Sequence, residues 1–268
     1  MSGQAGDPGR DRDRHSSGTS GQPVLVSVDG PVATITFNRP EKLNAADLAQ
    51  SHALEAAVAT SGAEPGVRVV LLRGAGRSFG SGIDRDMLAN GMPPDFVPSL
   101  ERSYAALEDM DKLAVAAVHG HCLGAGLLAA LACDLRVCST DAVFGLTAVR
   151  FGLFPAMGTF RLPRLIGLGP ARRLILSGET VDAAEAYRLG LVDHLVPAER
   201  FADGVDELVA HYAALSPACA LAIKRLTARA FDAPRDTVLA EALPLMQRCL
   251  AAPVVATGNA AWRARSRR

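Results

Sequence analysis

The chain has 268 residues, 28 basic and 28 acidic side chains and a hydrophobic share of 49%. This length suffices for one large domain or two small ones with a buried core. The formal net charge of zero argues against a protein that binds nucleic acid or anionic membranes by bulk charge. Charged residues or prolines interrupt every apolar run before about 18 residues, so no transmembrane helix is predicted.

Two features of composition bear on location. Residues 1–22 consist mainly of Gly, Ser, Asp and Arg without periodicity, so we predict a disordered tail. The tail lacks the apolar stretch of a secretory signal, and we therefore expect a cytoplasmic protein. The number of cysteines is odd and none of them form a CxxC pair, which argues against a disulfide framework or a zinc site. We therefore predict that the cysteines are reduced residues of the core. These cysteines are Cys122, Cys133, Cys138, Cys219 and Cys249.

The first ordered segments alternate between strands and helices. Two apolar runs around Asp29-Gly30 predict a β-hairpin, because Asp-Gly suits a turn with positive φ. The run VRVVLLRG (67–74) is apolar at nearly every position, as in a parallel strand covered on both sides. It leads into the glycine-rich loop GAGRSFGSGID (74–84), followed by a helix start. Further helices are predicted at 46–60 and 99–110.

The same order then recurs. LAVAAV (113–118) predicts a strand, HGHCLGAG (119–126) a second glycine-rich loop, and LLAALACD (127–134) a helix. The alternation indicates an α/β fold. After this unit we predict short strands near 135–138 and 142–145, a helix near 169–177, and a mostly helical region from about Pro197.

Each glycine-rich loop lies between a buried strand and a helix, which leaves backbone N–H groups unpaired at a helix N-terminus. Two such loops brought together by a parallel sheet would place two N–H donors on one oxygen atom, as in an oxyanion hole. The alternative is that each loop is an ordinary tight turn. Neither loop has the phosphate-binding P-loop pattern or the dinucleotide GxGxxG pattern, so nucleotide binding is not favoured.

A set of longer motifs resembles the enoyl-CoA hydratase/isomerase (crotonase) superfamily. The resemblance runs from about residue 24 to the end, and the segment 117–167 is most similar to the dienoyl-CoA isomerase branch. It implies a spiral of ββα units over residues 23–196, a helical trimerisation region over 197–268, and a homotrimer or dimer of trimers. The motifs are NRPEKLNA (38–45), GAGRSFGSGID (74–84), AVHGHCLGAGLLAALACDLRVC (117–138), FGLFPAMGTFRLPRLIG (151–167), LSGETVDAAEAYRLGLVDHLVP (176–197), SPACALAIK (216–224) and VATGNAAWRAR (255–265).

The resemblance also implies a ligand and its contacts. The ligand would be a coenzyme A thioester, with no permanent cofactor, no metal and no nucleic acid or membrane partner. Its carbonyl oxygen would lie between the backbone N–H groups of Ile83 and Ala125. Substrate contacts are expected at Gly82, Asp84, Arg85, Asp86, Gly124, Leu128, Ala148 and Ala156. Candidates for contacts to the CoA phosphates are Arg39, Lys42 and Lys224, with ordinary solvated surface charge as the alternative role.

The sequence departs from the family at the acid/base positions. When the motifs are aligned with those of the family, the two glutamates of similar hydratases fall at Leu128 and Ala148, and a third carboxylate of the isomerase branch falls at Ala156. Apolar side chains carry no proton, so we predict that the chain is not an efficient enoyl-CoA hydratase or dienoyl-CoA isomerase.

Few replacement groups stand out. Asp84 and His121 are the candidates for an acid or base, although capping of a helix and packing of a loop are alternative roles. Tyr104 and Glu108 share a helix face, and Arg150 could bind a carboxylated acyl group or form a surface ion pair.

Three hypotheses stay open at this stage. The chain is an enzyme with specialised acyl-CoA chemistry, a non-catalytic acyl-CoA-binding protein, or a structural subunit of a hetero-oligomer.

Overall fold

The computed structural model describes residues 21–257. The predicted tail over residues 1–22 therefore lies almost wholly outside the described residues, as does the last part of the motif at 255–265. The strands of the described chain are β1 (Val24–Asp29), β2 (Val32–Phe37), β3 (Val69–Gly74), β4 (Leu113–Val118), β5 (His121–Leu123), β6 (Leu135–Ser139), β7 (Val143–Gly145), β8 (Thr180–Asp182) and β9 (His194–Val196).

Helices separate most of these strands, and their bounds differ from the predicted ones by a few residues. Asp47 caps the first helix by accepting a hydrogen bond from the N–H of Gln50. The α-helices of the described chain are α1 (Leu48–Ala63), α2 (Arg85–Ala89), α3 (Phe96–Asp109), α4 (Ala125–Leu131), α5 (Gly158–Ile166), α6 (Leu168–Ser177), α7 (Ala183–Arg188), α8 (Phe201–Ala213), α9 (Pro217–Ala228) and α10 (Arg235–Leu250).

The main sheet has six strands in the order β1-β2-β3-β4-β6-β9. The predicted hairpin is confirmed: β1 and β2 pair antiparallel, and Gly30 supplies the positive φ of 52° in their turn. The remaining strands pair in parallel. Because parallel strands share their carboxyl ends, the loops after β3 and β4 emerge next to each other.

Both faces of this sheet are buried, as the apolar run of β3 predicts. Val70 and Leu72 face one core with helices α1, α3 and α4, whereas Val69 and Leu71 face a second core. The second core is closed by Val205, Val209 and Ala213 of α8. Helix α8 is therefore part of the core layer, which differs from the boundary predicted after residue 196.

A second sheet, with the order β5-β7-β8, lies beside the first. Its strand β5 is inside the segment predicted as the second glycine-rich loop, so this strand was not predicted. A strand of three residues next to glycines carries too little periodicity to be recognised from sequence.

The chain ends, within the described residues, in the helices α9 and α10, which pack mainly on each other. None of the residues of α10 is buried. Three cysteines lie in the core as predicted, but the prediction was wrong for Cys219, which is exposed on α9, and for Cys249, which is half-buried on α10. No helix within residues 21–257 is both long and apolar enough to span a membrane.

Candidate functional site

A cavity of about 540 Å³ opens between the two glycine-rich loops, helix α3 and the segment 147–156. Most of its wall is apolar. The described residues that line it are Ser81, Gly82, Ile83, Arg85, Leu88, Met92, Phe96, Val97, Leu100, Glu101, Tyr104, Leu123, Gly124, Ala125, Leu128, Thr147, Ala148, Arg150, Phe151, Leu153, Phe154, Pro155, Ala156 and Thr180.

The NRPEKLNA motif holds the first loop in place. The side-chain amide of Asn44 is buried and donates hydrogen bonds to the carbonyl oxygens of Ala75 (2.9 Å) and Ser78 (2.7 Å). The guanidinium of Arg39 forms ion pairs with Asp84 (2.9 Å) and Asp47 (2.8 Å). A buried amide with both protons bonded fixes the backbone that it contacts.

The two glycine-rich loops lie backbone against backbone. The N–H of Phe79 donates to the carbonyl oxygen of His119 (2.9 Å), and that of Leu123 donates to Gly80 (2.8 Å). A Cβ at Gly126 would lie 2.5 Å from the carbonyl oxygen of Gly80, so a larger residue would separate the loops. Glycine is needed here because the two backbones approach more closely than any side chain permits.

This contact brings two free N–H groups to the cavity wall. The carbonyl oxygen of Gly82 accepts from the N–H of Ala46 (2.7 Å), so the N–H of Ile83, antiparallel in the same planar peptide, points away from Ala46. The carbonyl oxygen of Gly124 accepts from Leu128 (2.9 Å) within α4, so the N–H of Ala125 points out of that helix. Neither N–H donates to another atom of residues 21–257.

Tyr104 fixes the residue that carries the second of these N–H groups. Its side chain is buried, lines the cavity and donates a hydrogen bond to the carbonyl oxygen of Ala125 (2.9 Å). Burial, and after it the negative charge of Glu101, raise the pKa of Tyr104. The phenol therefore keeps its proton and serves as a donor.

The remaining predicted substrate contacts fall into two groups. Asp84 and Asp86 do not line the cavity. The other six of the eight do: Gly82, Arg85, Gly124, Leu128, Ala148 and Ala156. Leu128 is 7% exposed and packs towards α5, since a Cβ at Gly158 would lie 2.7 Å from its Cδ2 atom.

The structure does not bring Asp84, a predicted acid or base, to the cavity. Its side chain is buried outside the cavity lining, accepts from the N–H of Asp86 (2.9 Å) at the start of α2 and pairs with Arg39. Burial alone would raise the pKa of Asp84, but the hydrogen bonds from Arg39 and from the Asp86 N–H outweigh it and hold this pKa below its usual value. Asp84 thus caps a helix. Asp86 is exposed, does not line the cavity and pairs with Lys42 (2.6 Å).

His121, the other predicted acid or base, is not brought to the cavity either. His121 is exposed on β5 and does not line the cavity, and its carbonyl oxygen accepts from the N–H of Gly80 (2.9 Å). His119 bonds through Nε2 to the carbonyl oxygen of Gly76 (2.9 Å), which is the loop-stabilising role. Both residues join the two loops.

The three cations predicted to bind the CoA phosphates differ in availability. Lys224 is buried and its ammonium donates to the carbonyl oxygens of Leu107 (3.0 Å) and Lys112 (2.9 Å) and to Asp134 (2.9 Å), so all three of its protons are used within the chain. The guanidinium of Arg39 is engaged by the ion pairs described above. Lys42 is exposed, with Asp86 as its partner.

Two arginines of the cavity wall have no such partners. Arg85 and Arg150 form no ion pair or side-chain hydrogen bond with residues 21–257, and the guanidinium of Arg85 lies 5.5 Å from the ring centroid of Phe151. They give one side of an apolar cavity a positive charge. No group of three or more potential metal-ligating side chains occurs within the described chain.

One ionisable group at the site was missed by sequence reasoning. Glu101 lines the cavity, and the guanidinium of Arg161 donates to its Oε2 atom (2.8 Å). The two residues are 60 positions apart in the sequence, so no local pattern predicts that they pair. The missed signal was the position of Glu101 one turn before Tyr104 on the helix predicted at 99–110.

The sequence of this chain matches a known protein family. The family model described as "Enoyl-CoA hydratase/isomerase" matches residues 28–261. The chain belongs to this family. Among curated members it is 36% identical over 220 residues to (E)-benzylidenesuccinyl-CoA hydratase of Thauera aromatica, with 80% of this chain and 85% of that protein covered. It is 32% identical over 222 residues to the short-chain-enoyl-CoA hydratase of Clostridium acetobutylicum (81% and 85% covered).

Solved structures of the family share the fold. The enoyl-CoA hydratase subunit I of Geobacillus kaustophilus HTA426 superposes with a TM-score of 0.83 at 30% identity, covering 91% of this chain and 95% of that one. A chain from Thermobifida fusca YX solved in complex with CoA superposes with a TM-score of 0.80 at 32% identity, covering 86% and 93%. The predicted crotonase-type α/β fold is confirmed.

Proposed function

We propose that this chain binds an acyl-CoA or enoyl-CoA thioester and stabilises the enolate formed from it. The supporting observation is the pair of unpartnered N–H groups of Ile83 and Ala125 beside an apolar cavity. The thioester oxygen would accept a hydrogen bond from each, and the acyl group would occupy the cavity. The Thermobifida fusca relative, solved with CoA and also with acetoacetyl-CoA, supports the ligand class.

The two donors would act on charge that develops during the reaction. Removal of a proton next to a thioester carbonyl moves an electron pair onto the carbonyl oxygen. Donors that are fixed in advance stabilise that oxygen without reorganising, and each contributes on the order of 10²–10³ in rate. The fixed loops meet this requirement because Asn44 and the contact between Gly80 and Gly126 hold them rigidly.

The cavity wall bears on which reaction follows. Leu128, Ala148 and Ala156 line the cavity with hydrocarbon, where a hydratase needs groups that deprotonate water and protonate carbon. We therefore propose proton transfer at the acyl chain, rather than water addition, as the main chemistry. Arg85 and Arg150 suit the anionic part of the ligand, which is either a CoA phosphate or a carboxylated acyl group.

A second candidate function is binding of acyl-CoA without turnover. The same apolar side chains at Leu128 and Ala148 favour it, because they remove two proton-transfer groups and leave the cavity and both N–H groups intact.

The binding part of the proposal is tested by the variant Ala125→Pro. Proline deletes one N–H donor and is tolerated in the first turn of a helix, where Ala125 lies. In titration calorimetry, wild-type protein is expected to bind butyryl-CoA more tightly than free CoA, and the variant is expected to show that preference reduced about fivefold, since a hydrogen bond is worth about 1 kcal/mol.

Free CoA is the matched control ligand, because it contains the nucleotide and pantetheine but no thioester. A folded variant, checked by circular dichroism, that retains the full preference for butyryl-CoA contradicts the assignment of Ala125. Wild-type protein that binds neither ligand contradicts the proposed function.

A further inference from the structure

Helix α3 presents one carboxylate to the cavity. Among the described residues that line it, Glu101 is the sole Asp, Glu or His, and its side chain is 22% exposed. Arg85, Tyr104 and Arg150 are the other ionisable side chains of the wall. Arginine stays protonated at physiological pH, and the pKa of Tyr104 is raised by burial. Glu101 is therefore the group of the wall that suits proton transfer.

A buried guanidinium holds this carboxylate in position. Arg161 is 6% exposed and donates through Nη1 to Oε2 of Glu101 (2.8 Å), and through Nε and Nη2 to the two oxygens of Glu108 (2.7 and 2.9 Å). Glu108 is thus bound by a bidentate contact, which is stronger than a single hydrogen bond. Glu101 uses a single oxygen, and its Oε1 atom has no hydrogen-bond partner within residues 21–257.

The carboxylate lies on the same wall as one of the two free N–H groups. Tyr104, one turn after Glu101 on α3, donates to the carbonyl oxygen of Ala125, the residue whose N–H points into the cavity. The guanidinium of Arg161 lies 5.8 Å from the ring centroid of Tyr104. Glu101 is therefore linked to Ala125 through Arg161 and Tyr104 along one side of the cavity.

We propose that Glu101, on helix α3, is the proton-transfer residue of this site, in place of the positions Leu128, Ala148 and Ala156, which carry no proton. This rests on the proposed function. In an acyl-CoA with a 3,4 double bond, the carboxylate takes a proton from C2, the C2–H electron pair forms the C1–C2 double bond, and the C=O π pair moves onto the oxygen, which is bound by the N–H groups of Ile83 and Ala125. An oxygen pair then re-forms the C=O bond, the C1–C2 pair becomes the C2–C3 double bond, and the C3–C4 pair takes the proton from Glu101 at C4.

One carboxylate suffices for this reaction, because one proton is removed, one proton is added and no water is consumed. Arg161 acts as a positioning residue. It still has one carboxylate partner when Glu101 is replaced, since Glu108 remains bound to it. A glutamine at 101 can also accept the hydrogen bond from Nη1, so Glu101→Gln is expected to fold.

The experiment follows 3-hexenoyl-CoA in D₂O with the full-length protein, by ultraviolet absorbance of the conjugated product and by deuterium incorporation at C2 and C4 in NMR spectra. The wild type is expected to form 2-hexenoyl-CoA and to incorporate deuterium. Glu101→Gln is expected to lower kcat about 10²–10⁴-fold, the usual contribution of a positioned acid or base, while the Kd for hexanoyl-CoA changes less than about threefold.

Glu108→Gln is the matched control, because it removes a carboxylate from the same guanidinium but does not touch the cavity wall. It is expected to keep most of the wild-type kcat. In Glu101→Ala, added formate is expected to restore part of the rate, which a purely structural role of Glu101 would not allow.

Three results overturn the proposal: unchanged kcat in Glu101→Gln, equal losses in Glu101→Gln and Glu108→Gln, or a wild type that binds hexanoyl-CoA but neither converts 3-hexenoyl-CoA nor exchanges its C2 protons. The last result leaves the binding part of the proposed function standing. Absence of any acyl-CoA binding overturns the proposed function itself, so the two failures are distinguishable.

Discussion

Two apolar residues set the limits of water chemistry in the cavity. Leu128 fills its position, because it is almost fully buried and packs towards Gly158. Ala148 leaves more room, since it is half-buried in the short turn Thr147–Phe151. Neither activates a water molecule or protonates a carbon atom, and a backbone N–H supplies neither function.

We expect wild-type protein to hydrate crotonyl-CoA far more slowly than the range of about 1–10³ per second that is typical of enzymes. The double variant Leu128→Glu with Ala148→Glu is expected to gain hydration by at least about tenfold, because it places two carboxylates at the wall below the N–H pair. Ala148→Glu alone is the control and is expected to gain less. A wild-type rate within the enzyme range would show that the water-activating groups lie elsewhere in the chain.

Lys224 belongs to the core and not to the ligand site. Lys224→Met is expected to lower the free energy of unfolding by about 3 kcal/mol, because it leaves the Asp134 carboxylate without its ammonium partner in a buried place. Urea unfolding measures this loss. Arg225→Met, in the exposed pair with Asp111, is the control and is expected to cost less than about 1 kcal/mol. A folded Lys224→Met that binds CoA tenfold more weakly would contradict the structural role.

At the scale of elements, the two glycine-rich loops behave as one unit. Their hydrogen bonds run from the first loop to β5 and back, and the Cα atoms of Gly80 and Gly126 have no space between them for a methyl group. Each N–H of the proposed oxyanion hole belongs to a different loop. The distance between the donors therefore depends on this backbone contact.

Gly126→Ala is expected to lower the free energy of unfolding by about 1–3 kcal/mol, since its Cβ would lie 2.5 Å from the Gly80 carbonyl oxygen and force the loops apart. The preference for butyryl-CoA over CoA should fall in the same variant. Gly62→Ala in α1, where a Cβ meets nothing within 4 Å, is the control and is expected to stabilise by up to about 1 kcal/mol. Equal stability of the two variants would refute the tight contact.

The sequence predicted those parts of the fold that are set by local patterns. The alternation of Val69 to Leu72 between two cores follows from a strand that is apolar on both faces, and Asp29-Gly30 gave the hairpin turn. The glycine loops and their N–H groups were predictable because strand, glycine loop and helix occur twice in succession.

Other parts depend on contacts between distant segments. The Arg161 bond to Glu101 spans 60 positions, and the three partners of Lys224 lie 90 to 117 positions away. A sequence shows that such charged side chains exist but not which of them become buried together. The positions of Asp84 and His121 outside the cavity wall could not be predicted for the same reason: proximity to the loop in sequence does not decide which way a side chain points.

At the scale of the whole molecule, helix α10 lies on the outside with an unburied apolar stripe. Leu239, Leu243, Met246 and Leu250 are each about half exposed or more, and their spacing of four, three and four residues places them on one face. On α9 and just after it, Ile223 (57%) and Phe231 (76%) are also exposed. A stripe of this kind on a helix with no buried residue is typical of a surface that another chain covers.

We propose that the covering chain is a second copy, in a closed homotrimer or dimer of trimers, as expected from the sequence. Light scattering after gel filtration at micromolar concentration is expected to give the mass of three or six chains. Leu243→Glu with Met246→Glu is expected to shift the protein towards the monomer, because two charges in an apolar interface cost several kcal/mol without partners. Val28→Glu is the control: Val28 is 52% exposed on the edge strand β1 and is not part of the stripe, so the mass should not change. A wild-type monomer, or a double variant that keeps the wild-type mass, would show that the stripe on α10 serves something other than self-association.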